Sequence, residues 1–257
     1  MADFDPTTPS IARVYDYWLG GKDNFAADRE LGDQLTAFVP STPVTLRENK
    51  EFLRRAVAWV ASQGIRQFID LGAGMPTSPA THEIAQAGDP GVRVVYVDND
   101  PVVLAHLNAL AATGNPGVTV VDGDVREPDT ILPTVARGVD LSEPACVIMG
   151  SLLHFFAPET ARGLVARYTG SLAAGSYLIL SMGVASGEAA EKFFRLYSEG
   201  PSKLYQHSPE DFASFFGPLE LLPPGIGDAR TLRPGGAAAP APEPREGWMI
   251  VGIARVG

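Results

Sequence analysis

Residues 66–74, Arg-Gln-Phe-Ile-Asp-Leu-Gly-Ala-Gly, constrain this chain more than any other stretch. A short apolar run through Phe68 and Ile69 reaches Asp70 and breaks into a turn holding Gly72 and Gly74. A doubly wound α/β domain ends its first strand in this way when a nucleoside-like ligand lies across the strand tips. Glycines there permit backbone angles and a close ligand approach that any Cβ would block. A pyrophosphate site would want bare amides at this turn. The carboxylate of Asp70 therefore points to a ligand with a cationic portion.

The flanking pattern supports that frame. Residues 10–65 read as helical: Ser10 caps a segment with Ile11, Val14, Tyr15 and Trp18 on one face that stops at Gly20-Gly21. A second helix covers 26–38. A third runs from Val44 to Gln63, with Phe52, Leu53, Val57 and Val60 at helical spacing and Gly64 as its stop. Strands are predicted at 66–71, 93–98, 118–122, 145–149 and 177–181. Helices are predicted near 78–87, from Pro101 and from Pro158, and none is assigned between the third and fourth strands. Strand–helix units of about 25–30 residues imply right-handed crossovers and a parallel sheet. Helices at 187–199 and 208–216 follow, then a strand at 219–222. A Pro-, Gly- and Ala-rich mobile surface loop over 223–247 leads to a last strand at 248–255 that closes the sheet as an antiparallel hairpin.

Two further strand ends carry acids. Asp98 ends the second strand, where a carboxylate can accept both hydroxyls of a ribose, with Asn99 beside the attached base. Asp100, before Pro101, reads as a helix N-cap. The third strand ends in Asp122-Gly123-Asp124-Val125-Arg126. There Asp124 can accept from an exocyclic amine and the Val125 amide can meet a ring nitrogen. Taken singly, each turn also fits a plain strand–turn–helix. Three acidic tips on successive strands share one sheet edge and together suit adenine, ribose and a cationic amino-acid end. A dinucleotide fingerprint would need glycine where the chain has Thr77, which counts against a nicotinamide oxidoreductase.

Net charge narrows the partners. At −10, and with no long Lys/Arg run, the surface does not suit a phosphate backbone, so no nucleic-acid partner is expected. Cys146 is the lone cysteine and excludes an intrachain disulfide, and the four scattered histidines give a metal site little support. No stretch approaches the roughly 18–20 apolar residues of a membrane span, and the acidic first residues do not read as a secretion signal. A cytoplasmic protein without a membrane partner is expected.

The motifs Asp70-Leu71-Gly72-Ala73-Gly74, Asp98, Asp122-Gly123-Asp124 and Met149-Gly150-Ser151-Leu152-Leu153-His154-Phe155-Phe156 resemble class I S-adenosylmethionine-dependent methyltransferases. The segment Ser10-Ile11-Ala12-Arg13-Val14-Tyr15-Asp16-Tyr17-Trp18-Leu19-Gly20-Gly21-Lys22-Asp23-Asn24-Phe25 is similar to an actinobacterial branch of them, long catalogued as a domain of unknown function (DUF574-like). The resemblance spans nearly the whole chain. It implies a Rossmann-like α/β fold: a seven-stranded, mostly parallel sheet with an antiparallel last strand. A helical N-terminal cap over 1–64 would sit on a core over 65–257, the two forming one compact unit. It implies S-adenosyl-L-methionine as cofactor, held by Asp70, Gly72, Ala73, Gly74, Asp98, Asn99, Asp124, Val125 and Ser151. The first helix and its Gly-Gly turn read as a lid from which Tyr15, Lys22 or Asn24 reaches the methionine end.

His154 is the candidate general base or, equally, a wall residue packed beside Phe155 and Phe156, with Tyr15 as a second candidate catalytic group. Arg195 and Tyr197 on a late helix read as a solvated face, with contact to a substrate carboxylate or ring as the alternative, and His82 and His106 read as structural. The expected activity is methyl transfer to nitrogen or oxygen of a small molecule. A non-catalytic regulator sensing S-adenosylmethionine or its demethylated product is the rival reading. The acceptor and the oligomeric state, a homodimer among the options, stay open.

Overall fold

In this computed structural model, residues 5–257 are described, apart from 112, 200, 201, 238, 239, 241 and 244. Three helices come first: α1 (Ile11–Leu19), α2 (Ala26–Phe38) and α3 (Thr42–Ser62). The alternating region follows as β1 (Gln67–Leu71), α4 (Thr81–Ala85), β2 (Arg93–Asp98), α5 (Pro101–Ala111), β3 (Val118–Asp122), α6 (Pro128–Val135) and β4 (Cys146–Gly150). A single 3-10 turn (Leu153–Phe155) leads to α7 (Pro158–Thr169), β5 (Tyr177–Ala185), α8 (Gly187–Ser198) and α9 (Pro209–Phe215). Two short strands, β6 (Glu220–Leu221) and β7 (Gly227–Asp228), precede β8 (Gly247–Arg255).

The strands form one sheet in the order β3-β2-β1-β4-β5-β8-β6, with β7 also paired to β8. The pairs β1–β2, β1–β4, β2–β3 and β4–β5 are parallel, whereas β8 runs antiparallel to β5, β6 and β7. Strand order reverses between β1 and β4. In open α/β sheets, the crevice outside the carboxyl ends of strands at such a switch point is where ligands bind.

The period-2 alternation of the strands divides the core between two faces. Phe68, Val94, Tyr96, Ile148, Ile179 and Val251 point to one face, where Phe52, Val57 and Val60 of α3 and Val103 and Leu107 of α5 cover them. Ile69, Val95, Val97, Val147, Met149 and Leu180 point to the other, against Ile131 of α6, Leu164 of α7 and Phe212 of α9. Phe52 and Phe68 are 0% exposed, and each such burial is worth about 1.5–3 kcal/mol. Helix α3, the last of the expected 1–64 cap, is thus one of the layers on the sheet. Only α1 and α2 lie beyond that layer.

A buried carboxylate pins α1 to α2. Asp28 accepts from the Ser10 amide (2.8 Å), the Phe25 amide (2.7 Å) and Arg13 Nε (2.8 Å), and the Arg13 and Asp28 side chains are 4% and 0% exposed. The Gly20-Gly21 turn is equally specific. Gly20 closes α1 at φ 83°, and a Cβ on Gly21 would fall 1.9 Å from Asp16 Oδ1.

Three sequence expectations are corrected. Among the described residues the sheet has eight strands, not seven, because Gly227–Asp228 adds a short pairing with β8 at Val251 and Ile250. That strand lies in the stretch expected to be a mobile loop, yet Ala229 and Leu232 are buried and Arg230 clasps Asp228 at 2.7 Å. Residues 238, 239, 241 and 244 of that stretch lie outside the described ones. Helix α6 begins on Pro128, where proline costs nothing, and tolerates Pro133 near its end. Two prolines in eight residues disguise it in the sequence.

Candidate active site

A cavity of about 680 Å³ lies at the carboxyl ends of β1–β4, within the size range of small-molecule sites. Gly72, Ala73 and Gly74 line it from β1, Asp98, Asn99 and Asp100 from β2, Gly123, Asp124, Val125 and Arg126 from β3, and Gly150, Ser151 and Leu152 from β4. The helical segment supplies Ser10, Ile11 and Tyr15 as well as Asn49, Lys50 and Leu53.

The β1 turn owes its shape to glycine. Gly72 and Gly74 take φ of +64° and +65°, and open space surrounds the position of a Cβ on Gly74. Asp98 organises the floor: its Oδ2 accepts from the Gly74 amide (2.9 Å), and its Oδ1 from the Asn99 and Asp100 amides (2.9 Å each). Burial raises its carboxyl above the usual range, and these three amides work against that rise. One acceptor position on Oδ2 is left over for a ligand.

Asp124 also faces the cavity, but the Arg126 side chain clasps it through Nε at 2.9 Å to both carboxylate oxygens. Arg126 holds the Asp124 carboxyl below its usual range, and the Asn99 side chain adds to the effect.

Asp70 does not line this cavity. Its Oδ2 accepts from Thr81 Oγ1 (2.8 Å), and Lys50 is the cation that acts on it electrostatically. Burial pushes its carboxyl up to about 6, with Asp98 adding to the rise and Thr81 and Lys50 opposing it. The position expected for Asp70 on the cavity wall is taken instead by Lys50, which lines the cavity and interacts electrostatically with Asp70. Burial lowers the Lys50 ammonium, Asp70 raises it, and its Nζ lies 5.5 Å from the centre of the Tyr15 ring.

At the β4 end, Asn49 Nδ2 donates to Tyr15 Oη (3.1 Å) and to Ser151 Oγ (2.9 Å). Asn49 Oδ1 is buried without a hydrogen-bond partner among the described residues. Ser151 takes a left-handed φ of 54°, a conformation costly for a non-glycine residue and typical of functional sites.

Beyond Tyr15 and Ser151 lies a second cavity of about 120 Å³, walled by Trp18, Phe155, Phe193, Phe194, Tyr197 and Trp248. The two cavities share Ile11, Tyr15, Ser151 and Phe155. His154 lines the second cavity, not the first. Its ring lies 4.4 Å from that of Phe155, and among the described residues neither ring nitrogen has a hydrogen-bond partner. Burial, with His207 nearby, lowers its pKa to about 3, so it is neutral at physiological pH and too weak a base to take a full proton. His154 thus stands in the wall of the aromatic cavity as a neutral residue.

Two lid residues are elsewhere. Lys22 is exposed and outside both cavities. Asn24 donates through Nδ2 to Asp16 Oδ2 (2.9 Å) and accepts from Arg29. The turn is consumed in collecting the Asp16 carboxylate, and Tyr15 is the member of the expected lid trio that reaches the cavity. Tyr197, expected on a solvated face, is 7% exposed and walls the second cavity. His82 bonds Tyr96 Oη through Nδ1 at 3.0 Å inside the core.

Sequence reasoning missed Asn49, Lys50, Arg126 and the aromatic wall. Asn49 and Lys50 precede Leu53 by four and three residues, on the helical face that Leu53 already marked as inward. Among the described residues no group of three or more His, Cys, Asp or Glu could hold a metal ion, and no helix is long and apolar enough to cross a membrane.

Comparison with known proteins agrees with this geometry. A sequence model of the S-adenosyl methyltransferase family matches residues 1–257. The crystal structure of a candidate methyltransferase from Thermobifida fusca is 41% identical, with a TM-score of 0.90 over 97% of this chain and 96% of that one. A DUF574 family protein from Streptomyces avermitilis is 37% identical, with a TM-score of 0.90 over 98% and 99%. No curated protein matches the chain.

Proposed function

Because the chain belongs to the S-adenosyl methyltransferase family and is an S-adenosylmethionine-dependent enzyme, we propose that it methylates a nitrogen or oxygen of a small molecule bound in the second cavity. The observation that carries this reading is the adjacency of the two cavities, the strand-tip cavity and the aromatic one sharing Ile11, Tyr15, Ser151 and Phe155.

The residues present fit the cofactor. The free acceptor position on Asp98 suits a ribose hydroxyl. Asp124 and the Val125 amide suit the Watson–Crick edge of adenine, with Arg126 turning aside or sharing the carboxylate. The unpartnered Asn49 Oδ1 suits an ammonium, and Lys50, backed by Asp70, suits a carboxylate. When bound, S-adenosylmethionine supplies a methyl group already activated by a sulfonium.

The protein has little chemistry left to perform. Tyr15 and Ser151, both held by Asn49, stand where the two cavities meet. Leu53, Leu152 and Phe155 exclude water there, which favours in-line approach of a desolvated nucleophile. His154 orients the acceptor through a hydrogen bond.

Titration calorimetry with S-adenosylhomocysteine tests the cofactor half of the reading. Asp98→Ala is expected to weaken binding by about 1–3 kcal/mol, roughly 5- to 150-fold, with the fold retained by circular dichroism. Unchanged affinity in a folded variant would remove Asp98 from the site. Transfer of a labelled methyl group into low-molecular-weight material of a cell extract, rather than into macromolecules, tests the acceptor half.

A further inference from the structure

The second cavity says more about the acceptor than its size class. We infer that the acceptor is an uncharged compound presenting a single aromatic ring that bears the O–H or N–H to be methylated, an inference that rests on the methyl-transfer reading above.

The walls specify the ring. Trp18, Phe193, Tyr197 and Phe155 follow one another as a ladder, with centroids 6.3, 6.0 and 6.2 Å apart and interplanar angles of 22°, 29° and 36°. Such a stack offers flat faces and edges at the separations that aromatic pairs favour. Trp248 and Phe194 line the same cavity from β8 and α8. At about 120 Å³ the space is close to that of an engineered cavity of about 150 Å³ that admits benzene, so one ring fills it. The remainder of a larger molecule would have to extend into the junction or to solvent.

The charge argument is independent of the shape. None of the residues lining this cavity is Asp, Glu, Lys or Arg, and His154, its one titratable base, is neutral. An acceptor carboxylate would be stripped of water against hydroxyls alone, a cost of several kcal/mol without a counter-charge. An acceptor ammonium would find aromatic faces, but it has no lone pair to attack with and would sit beside the sulfonium. A neutral ring escapes both costs. Its O–H or N–H donates to a ring nitrogen of His154. In the transfer, the heteroatom lone pair forms the new bond to carbon and the C–S electrons remain on sulfur. The proton on the methylated heteroatom passes to solvent water, and His154 orients the group without taking the proton.

The experiment uses the full chain saturated with S-adenosylhomocysteine. It is titrated with 4-methylphenol, benzoate, benzylamine and cyclohexanol, with calorimetry and the fluorescence of Trp18 and Trp248 as readouts. 4-Methylphenol is expected to bind at least tenfold more tightly than the other three probes. Gly183→Leu supplies the control: Gly183 lines the second cavity alone, and a Cβ there meets nothing nearer than Met249 Sδ at 3.8 Å. Its longer side chain is expected to abolish 4-methylphenol binding and leave S-adenosylhomocysteine affinity within twofold. If that variant fails to bind S-adenosylhomocysteine, Phe193→Ala replaces it and is expected to weaken 4-methylphenol at least fivefold. The inference alone is overturned if S-adenosylhomocysteine binds but a charged probe or cyclohexanol matches 4-methylphenol. It is equally overturned if 4-methylphenol does not bind, or if the folded variants leave its binding unchanged. Failure of the wild-type protein to bind S-adenosylhomocysteine overturns the methyl-transfer reading itself and this inference with it.

Discussion

The Ser10 hydroxyl donates to Asp100 Oδ2 at 2.5 Å, joining residues 90 positions apart. Asp100 Oδ1 meanwhile accepts from the Val102 (2.8 Å) and Val103 (3.3 Å) amides at the start of α5. One carboxylate therefore caps a helix, fixes the loop that carries Asp98 and Asn99, and tethers the first helix to that loop. Ser10→Ala is expected to cost about 1.5 kcal/mol in urea denaturation and to weaken S-adenosylhomocysteine binding several-fold. Ser10→Thr keeps the hydroxyl and is expected to restore both. Wild-type affinity and stability in Ser10→Ala would show that the tether carries no energy.

Asp70 makes stability depend on pH in a direction unusual for a carboxylate. Its folded pKa of about 6 exceeds the ordinary 3.8, so between those values the folded chain holds a proton that the unfolded chain has released. The group's stabilising contribution is full below about pH 4 and is lost as pH rises through 6. Asp70→Asn, which mimics the protonated form, is expected to be more stable than wild type by about 1–3 kcal/mol at pH 8 and equal to it near pH 4. Denaturation curves at the two pH values check this. A constant difference would mean that Asp70 titrates normally.

His154 makes the opposite kind of prediction. With its pKa lowered to about 3 it does not titrate between pH 5 and 9, so kcat/KM should show no inflection near 6.5 that His154→Gln removes. His154→Ala is expected to raise the acceptor KM about tenfold, the loss of one hydrogen bond, without moving the pH profile. A wild-type inflection near 6.5 that disappears in the variant would reinstate it as a general base.

The Arg13–Asp28 pair is nearly sealed from solvent, so removing one partner is costlier than removing both. Asp28→Ala is expected to destabilise by about 3–5 kcal/mol. The double variant Arg13→Met with Asp28→Leu should recover most of that. Equal losses in the single and double variants would exclude an energetic role for the buried charge.

The strand tips were legible in the sequence because their signals are local. Apolar runs ending in Asp70, Asp98 and Asp122-Gly123-Asp124 announce a sheet edge, and parallel pairing must bring them together. The rest depends on tertiary contact. Asn49 and Lys50 are ordinary polar residues of an amphipathic helix until α3 is laid across the sheet. Asn24 looks free after the Gly-Gly turn because nothing local reveals that its side chain donates to Asp16. The aromatic cavity draws on α1, α8, β5 and β8, elements whose meeting no window of sequence contains.

The residues of α1 and α3 that complete the first cavity have a consequence for the whole chain. Ser10, Tyr15, Asn49 and Lys50 touch the same space as the strand tips, so whatever fills it also clasps the amino-terminal stretch to the sheet. Grip on the ligand and grip on that stretch are then one shared equilibrium. Filling the cavity is therefore expected to shield the stretch from Ser10 to Lys50 from proteases.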